Sequence, residues 1–573
     1  MDSDRPLHPN EKIKEASHFL RGGIRDGLAD LSTGALADSD TQLTKFHGIY
    51  QQDDRDLRSQ RRKEKREKAY IFMARIRVPG GVCSPKQWLD LDRLASSHGN
   101  DTLKVTTRQA FQLHGIIKGN LKEAIREIND ALLDTIAACG DVNRNVMCNP
   151  NPHESAVHAQ ALATASAISS HLTPRTHAYH EIWLDHERIT PEPQEEEPIY
   201  GRTYLPRKFK IVVAVPPVND VDVYAHDLGF IAIVENGLLA GYNVAAGGGL
   251  GMSHGKEETF PRLAEVMGFC RPDQAVDLAE KVVLVQRDYG DRINRSHARL
   301  KYTIEDRGLA WFRREVEERL GWKLQEPRPF HFDHNGDRYG WVEGPDGNAH
   351  FTLFIQNGRV ADGNGSSLRA ALRELAQAHQ GDFRLTPNQN LIVANVAPGA
   401  RPGIEEILRR HGLNDPAKLS GLRLNSLACV ALPTCGLALA ESERYLPGLL
   451  EELETIIEEN GLQREAITIR MTGCPNGCAR PYLAEIAMVG RAPHKYNVYL
   501  GGGFAGDRLN KLYRSSVLDS ELAALLRPII AAYAQERLDG ERFGDFVVRQ
   551  GYVAPTSEGA RFHEDLTPEA LAR

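Results

Sequence analysis

The sequence predicts an α+β fold of three domains with pseudo-twofold duplicated halves, and three observations carry that prediction. Strand-like runs rich in β-branched residues alternate with amphipathic runs from Tyr70 onward. A pattern around Leu94 to Gln109 recurs around Leu375 to Gln389. Four cysteines fall as two spaced pairs in the last third of the chain.

Strands are expected at 70–78, 103–107, 211–215, 282–286, 351–355, 391–396 and 485–489, where Val, Ile, Phe and Tyr concentrate. Helices are expected at 120–138, 155–170, 366–379, 443–459 and 519–536, where apolar residues recur at helical spacing. The recurring pattern is specific: Leu94-Ala95, His98, Lys104 and Thr106-x-x-Gln109 return as Leu375-Ala376, His379, Arg384 and Thr386-x-x-Gln389. A duplicated half-domain of this kind implies pseudo-twofold packing, and an interface on the pseudo-axis is where a large cofactor would sit. The expected division is an N-terminal arm at 1–65, a discontinuous domain of two ferredoxin-like halves at 66–138 and 345–405, a first α/β lobe at 139–344 and a second at 406–573.

Composition describes a globular enzyme: 26% of 573 residues are charged, the net charge is -7 and the mean hydropathy is -0.41. The acidic balance argues against general nucleic-acid affinity, and the basic run at 61–68 is interrupted by Glu64 and Glu67 as a solvated segment would be. No apolar run is long enough to cross a membrane and the N-terminus does not read as a secretion signal, so a cytoplasmic location is expected.

Cys429 and Cys435, then Cys474 and Cys478 in Thr-Gly-Cys-Pro-Asn-Gly-Cys-Ala-Arg, supply the four thiolates that an iron-sulfur cube or a zinc ion needs. The wide spacing leans toward a cluster, because zinc knuckles favour two-residue gaps. Cys83, Cys139, Cys148 and Cys270 read as ordinary buried cysteines. A second constellation is cationic. Lys208 and Lys210 flank Phe209, and Arg75 and Arg77 alternate before Gly80-Gly81, so strand geometry would put each pair on one face; Arg144 adds a further cation. Gly501 to Gly506 in Tyr499-Leu-Gly-Gly-Gly-Phe-Ala-Gly506 fits a dinucleotide loop, yet no second βαβ unit follows it, so a turn is the better reading.

Thr472-Gly-Cys-Pro-Asn-Gly-Cys-Ala-Arg480, Thr106-Thr-Arg-Gln-Ala-Phe-Gln-Leu-His114 and Leu205-Pro-Arg-Lys-Phe-Lys210 resemble the sirohaem-containing sulfite and nitrite reductases, nearly end to end. Within that family the likeness is to the NADPH-dependent sulfite-reducing branch, on Phe46-His-Gly-Ile-Tyr-Gln-Gln-Asp-Asp-Arg-Asp-Leu-Arg58 and Phe543-Gly-Asp-Phe-Val-Val-Arg549. The resemblance implies that Cys429, Cys435, Cys474 and Cys478 hold a [4Fe-4S] cluster, with Cys478 also ligating sirohaem iron at the domain interface. It implies that Arg108, Gln112, His114 and Lys301 contact the macrocycle, and that Arg77, Arg144, Lys208 and Lys210 surround sulfite during its six-electron reduction. Nitrite is an expected side substrate. Electrons would come from a flavoprotein alpha subunit that carries FAD and FMN, oxidises NADPH and docks on the N-terminal arm; a ferredoxin donor is the alternative.

Overall fold

The computed structural model describes residues 5–150, 155–175, 183–184, 187–188, 197–363, 365–556, 558–564 and 566. Among them, four five-stranded sheets set the architecture, and they form two matched pairs.

The first pair comes from the repeated segments. One sheet runs Ile49–Asp53, Tyr70–Ile76, Phe111–Ile116, Leu103–Val105 and Arg359–Val360; the other runs Gly340–Glu343, Ala349–Leu353, Leu391–Val396, Asp382–Leu385 and Val82–Cys83. All neighbours are antiparallel, and each sheet takes its last strand from the opposite half. This reciprocal exchange laces the halves together and covers one edge of each sheet. The helix Pro85–Ser97 starts where the Ser84 hydroxyl accepts the Gln87 amide at 3.2 Å and the Gln87 side chain accepts the Ser84 amide at 2.9 Å. Its buried Trp88 meets Phe111 of one sheet and Phe383 of the other, at ring separations of 5.6 and 5.3 Å. Arg369 and Arg373, on the matching helix Leu368–Ala378, both reach Asp92 at 2.6 Å.

The repeated Thr-x-x-Gln turns have one structural job. Thr106 and Thr386 open turns closed by amide bonds to Ala110 and Asn390 at 3.0 and 2.9 Å, and Gln109 and Gln389 both adopt positive φ. Gln109 Nε2 donates to the Cys148 carbonyl while Oε1 accepts the Cys148 amide, each at 2.9 Å. Gln389 does the same to Ala428, at 3.0 and 3.3 Å. A carboxamide is the side chain that can copy a strand's paired donor and acceptor, so each turn docks on the first strand of a lobe.

The lobes are duplicated too, which the sequence did not reveal. The sheet Met147–Cys148, Ile211–Ala214, Leu228–Glu235, Leu238–Ala246, Glu265–Cys270 and the sheet Ser426–Ala428, Ile469–Thr472, Ile486–Ala492, Lys495–Leu500, Lys511–Leu518 share one strand order. In both, the first three strands are parallel and the last two antiparallel. Registering Ile211 on Leu228 and Ile469 on Ile486 makes residue 211 equivalent to 469 and residue 222 equivalent to 480.

Three expectations are corrected. Residues 282–286 are no strand: they lie in the helix Ala275–Tyr289, where Leu278, Ala279, Val282, Val283 and Val285 bury one face at helical spacing. The helix expected at 120–138 is Leu121–Asp130, ending before Leu132 and Ala137 take positive φ. The segment expected as an arm is packed into the body. Leu20, Ile24, Leu43 and Phe46 share a core with Tyr204 and Phe209 of the first lobe, and Ile49–Asp53 is a strand of the first sheet. Lys14 fastens this segment, donating to the Leu205 carbonyl at 2.8 Å and pairing with Glu11 at 2.5 Å.

Buried ion pairs at these seams make stability depend on pH. Burial would raise the Asp141 carboxyl, but Arg295 and Lys14 hold it at about 2; Lys104 and Arg359 likewise overcome burial to hold Glu443 at about 2. Both folded values lie below the ordinary ones of 3.8 and 4.5, so this stabilisation is complete above about pH 4.5 and is lost as pH falls toward 2. Glu443→Gln should lower stability by about 3 kcal/mol at neutral pH and flatten the acid-side decline. Thermal unfolding followed across that range checks both effects.

Candidate functional site

The four cysteines stand at the carboxyl ends of adjacent parallel strands. Cys429 follows Ser426–Ala428 and Cys474 follows Ile469–Thr472, with Cys435 and Cys478 on the loops beyond. The loops pack tightly: a Cβ on Gly473 would stand 2.6 Å from both Ala431 Cβ and Ala440 O. Backbone and side-chain donors already point at sulfur, the Gly473 amide at Cys429 Sγ (3.4 Å) and Asn476 Nδ2 at Cys474 Sγ (3.5 Å).

The four thiols feel one another. Burial first, then Cys478, Cys474 and Cys435, pushes the Cys429 thiol far up; burial and Cys478 raise Cys435, and the same causes push Cys474 up to about 11. Yet among the described residues no three His, Cys, Asp or Glu side chains gather as a single metal ion requires. Four thiols set on neighbouring loops within one another's field could hold a metal cluster, whose iron would supply the positive charge that gathered thiolates need.

Beside this cradle lies a cation pocket. Lys208 and Lys210 flank the buried Phe209, outside any regular strand, and neither ammonium has a hydrogen bond or ion pair among the described residues. Burial, then Arg144, Arg299 and Arg207, drives the Lys208 ammonium far below its ordinary value; burial, then Lys208, Arg108, Arg299 and Arg144, does so for Lys210. Cys478 acts on Lys208 in the opposite direction, so the cysteine loop and the lysines share one electrostatic space. Among the described residues the Arg144 guanidinium donates only to the Gly140 carbonyl, at 3.3 and 3.2 Å. Arg108 donates to the Asn145 carbonyl and shares a 3.2 Å contact with His226 Nδ1; burial, Arg144 and Arg480 bring it down to about 9.

The expected site set is brought together in part. Gln112 and His114 lie at the pocket's edge, buried and 3.2 Å apart, with the Gln112 amide oxygen facing Arg75 Nε at 3.1 Å. Burial and Arg359 keep His114 neutral. Lys301 is spent on the backbone: its ammonium donates to the carbonyls of Gly249 (3.1 Å), Gly251 (2.9 Å) and Phe260, so it fixes the glycine loop and has no hydrogen left for a ring carboxylate. Arg77 is absent from the pocket. The strand ends at Ile76, and Arg77 pairs instead with Asp134, which takes its guanidinium at 2.7 Å, while Thr173 Oγ1 accepts at 2.6 Å. Arg75 stands where Arg77 was expected, donating to Cys139 Sγ at 3.1 Å and lying within the field of Cys478.

Sequence reasoning missed the buried carboxylates that organise these cations. Asp227 takes Arg299 in a two-pronged pair at 2.8 to 3.1 Å, and Asp222 takes both Arg470 (2.6 Å) and Arg480 (2.5 Å). No spacing rule signals pairs that form between residues some 70 to 260 positions apart. The glycine-rich Tyr499 to Gly506 segment is a turn: a Cβ on Gly502 would stand 2.4 Å from the carbonyls of Leu483 and Ala484, and the next element is the strand Lys511–Leu518, where a phosphate-binding loop would need a helix.

Comparison with known proteins agrees with this geometry. Residues 163–324 and 422–554 match the model of the nitrite and sulphite reductase 4Fe-4S domain, and residues 63–131 and 342–411 match the nitrite/sulfite reductase ferredoxin-like half domain. The chain is 59% identical over 564 residues to the sulfite reductase [NADPH] hemoprotein beta-component of Geobacillus kaustophilus, covering 98% of each chain. It is 58% identical over 558 residues to the same component of Staphylococcus saprophyticus, covering 97% of this chain and 98% of the other. The solved structure of Mycobacterium tuberculosis NirA superposes with a TM-score of 0.78 at 26% identity, over 96% of this chain and 98% of that one.

Removing the shared carboxylate should unseat the site from below. Asp222→Asn would leave two buried guanidinium groups facing each other and cost about 3 to 5 kcal/mol. The expected signs are a lower unfolding temperature and less iron and acid-labile sulfide per chain, because Cys478 stands two residues from Arg480.

Proposed function

The chain belongs to the nitrite and sulphite reductase family, and from that membership we propose that it is the haemoprotein component of an assimilatory sulfite reductase. The observation that carries the reading is the junction at Cys478, where a four-cysteine cradle shares its field with a pocket of cations that have no carboxylate ion-pair partner among the described residues. Cys429, Cys435, Cys474 and Cys478 would hold a [4Fe-4S] cluster, and Cys478 would also ligate sirohaem. When bound, these groups store electrons and deliver them to the sulfur of sulfite.

The chain's own residues must bind an anion, strip water from it and feed it protons. Sulfite takes up six electrons and seven protons to leave as hydrosulfide and three waters, so each lost oxygen departs as water with two protons. A buried, nearly doubly charged anion needs several fixed cations, and Arg75, Arg144, Lys208 and Lys210 supply them. Arg75 replaces Arg77 in this set because its guanidinium faces the cysteine loop. The two arginines act as permanent clamps, while the lysines can release protons, since burial and neighbouring cations have made their ammonium groups more acidic. Arg108, Gln112 and His114 would line the macrocycle, with Arg108 toward its carboxylates. Nitrite, a smaller anion, fits the same cations as a side substrate.

Electrons come from a flavoprotein alpha component with FAD and FMN that oxidises NADPH. Because Leu20, Ile24, Leu43 and Phe46 are built into the core, the outward surface of this segment, around the exposed Leu31, is the part we assign to meeting it.

Turnover with dithionite-reduced viologen tests the catalytic reading without a partner. Purified protein with haem bands that shift on adding sulfite should release sulfide; absence of haem bands after reconstitution would overturn the reading. Adding the flavoprotein with NADPH, or reduced ferredoxin, then identifies the donor. Lys208→Met or Lys210→Met should cut kcat by about a hundredfold with intact haem spectra.

Arg75→Ala should raise the KM for sulfite at least about tenfold, whereas Arg77→Ala should act on stability alone. The lysine charge is present below its lowered pKa and lost above it, so sulfite affinity should fall as pH rises, and less so in either lysine variant.

A further inference from the structure

Three threonine hydroxyls are buried without a hydrogen-bond partner among the described residues, and two of them, Thr434 and Thr472, lie in the cysteine loops. Thr472 is the one whose direction the sheet fixes. It is fully buried at the end of the strand Ile469–Thr472, two residues before Cys474. A buried hydroxyl that finds no acceptor in its own chain is destabilising, and it points to an acceptor the chain does not supply.

Ser426, Leu427 and Ala428 pair in parallel with Ile469, Arg470 and Met471. The Cys429 amide donates to the Met471 carbonyl at 3.2 Å, so the register runs one residue further and sets Cys429 beside Thr472, with neighbouring strands about 4.8 Å apart. Ala428, Ile469 and Met471 enter the core of the second lobe. Alternation therefore leaves Cys429, Arg470 and Thr472 on the opposite face, where Arg470 meets Asp222 at 2.6 Å. The next amide, that of Gly473, already donates to Cys429 Sγ at 3.4 Å, while the Thr472 hydroxyl shares the face without bonding to that sulfur. On its other side Thr472 pairs with Val489, whose side chain offers no acceptor.

The duplicated lobe supplies an internal control. Met147 and Cys148 pair with Val212 and Val213 in the same parallel register, and the Asn149 amide donates to the Val213 carbonyl at 3.3 Å. Asn149 and the fully buried Ala214 thus stand where Cys429 and Thr472 stand in the second lobe. An apolar side chain serves the fold at this position, and the hydroxyl occurs in the lobe that carries the cysteines.

We infer that Thr472 is a positioning residue for the cluster: its hydroxyl donates to a cluster sulfur beside Cys429 and so favours the reduced state. The inference rests on the reading of the four cysteines as a [4Fe-4S] site and adds a residue that sets its potential. One-electron reduction adds a negative charge to the cluster, and a hydrogen bond to sulfur stabilises that charge.

The test is a redox titration of the holoenzyme, followed by the electron paramagnetic resonance of the reduced cluster while carbon monoxide keeps the haem iron silent. Thr472→Val keeps the shape and removes the hydroxyl. At a fixed ambient potential it should lower the ratio of reduced to oxidised cluster about tenfold, which for one electron is about 59 mV. Thr472→Ala, which copies the first lobe, should do the same, and Thr472→Ser should restore the parent ratio. A proton coupled to the reduced cluster and exchangeable in heavy water should be lost in Thr472→Val and kept in Thr472→Ser. An unchanged ratio in Thr472→Val or Thr472→Ala, with full iron and acid-labile sulfide, overturns the inference. Cluster loss in both of these variants but not in Thr472→Ser supports it, because the hydroxyl is what Thr472→Ser retains; cluster loss in Thr472→Ser as well overturns it, since packing is then what matters. A parent protein that takes up no iron and sulfide would refute the underlying reading of the cysteines instead.

Discussion

Asp222 and the two guanidinium groups it holds are the contact on which the other parts of the site depend. Asp222 and Arg480 occupy equivalent places in the duplicated lobes: each precedes a three-residue helical turn, and each takes a left-handed conformation, at φ 50° and 53°. One position carries the anion and its counterpart the cation, so a pseudo-symmetric pair of backbones meets through opposite charges. Arg480 then donates to the carbonyls of Thr107 (2.8 Å) and Pro387 (3.0 Å), which are themselves equivalent positions in the two Thr-x-x-Gln turns. A single buried side chain therefore touches both lobes and both half-domains. Burial alone would raise the Asp222 carboxyl, but Arg470 and Arg480 pull it below the usual range, so it stays ionised. Cys478 and Arg108 sit on loops that this cluster pins through Thr107.

Duplication supplied two copies of each loop, and the two copies have diverged in chemistry. In the second lobe, the loops after the parallel strands carry Cys429 and Cys474. The matching first-lobe position after Cys148 is Asn149. Conversely, Lys208 and Lys210 of the first lobe correspond to Ala466 and Thr468 of the second, while the buried Phe209 between them corresponds to the buried Ile467. The apolar anchor is kept in both copies because both strands must enter a core; the flanking residues were free to specialise. Thiolates come from one half and cations from the other, so the composite site exists only where the halves meet.

This division explains what could be read from the sequence. Cysteine pairs and the Lys-Phe-Lys alternation are local, so spacing alone singled them out, while their common site was implied only by the family resemblance. The Thr-x-x-Gln repeat was legible because its glutamines perform an identical hydrogen-bonding task in both halves. Lobe duplication was illegible, since only strand order is shared. Choosing Arg77 over Arg75 failed for a reason no alternation rule contains: the strand stops at Ile76, and Asp134, far along the chain, captures the later arginine. The position of Lys301 failed similarly, because its three carbonyl partners belong to a loop brought in by the fold.

Among the described residues, four buried acids near the cation pocket are committed elsewhere. Asp227 is taken by Arg299, Asp141 by Arg295 and Lys14, Asp222 by Arg470 and Arg480, and Glu443 by Lys104 and Arg359. Each of these pairs is geometrically closed, so none can swing to neutralise Arg144, Arg207, Lys208 or Lys210 without leaving its own partner buried and uncompensated. The surplus of positive charge is thus held in place by the rigidity of the surrounding pairs. A pocket left free of protein acids pays in self-repulsion while it lacks an anion and recovers that energy on binding one, which favours a compact, highly charged anion over a neutral or weakly charged competitor. Selectivity for sulfite then follows less from any one contact than from where the carboxylates are not.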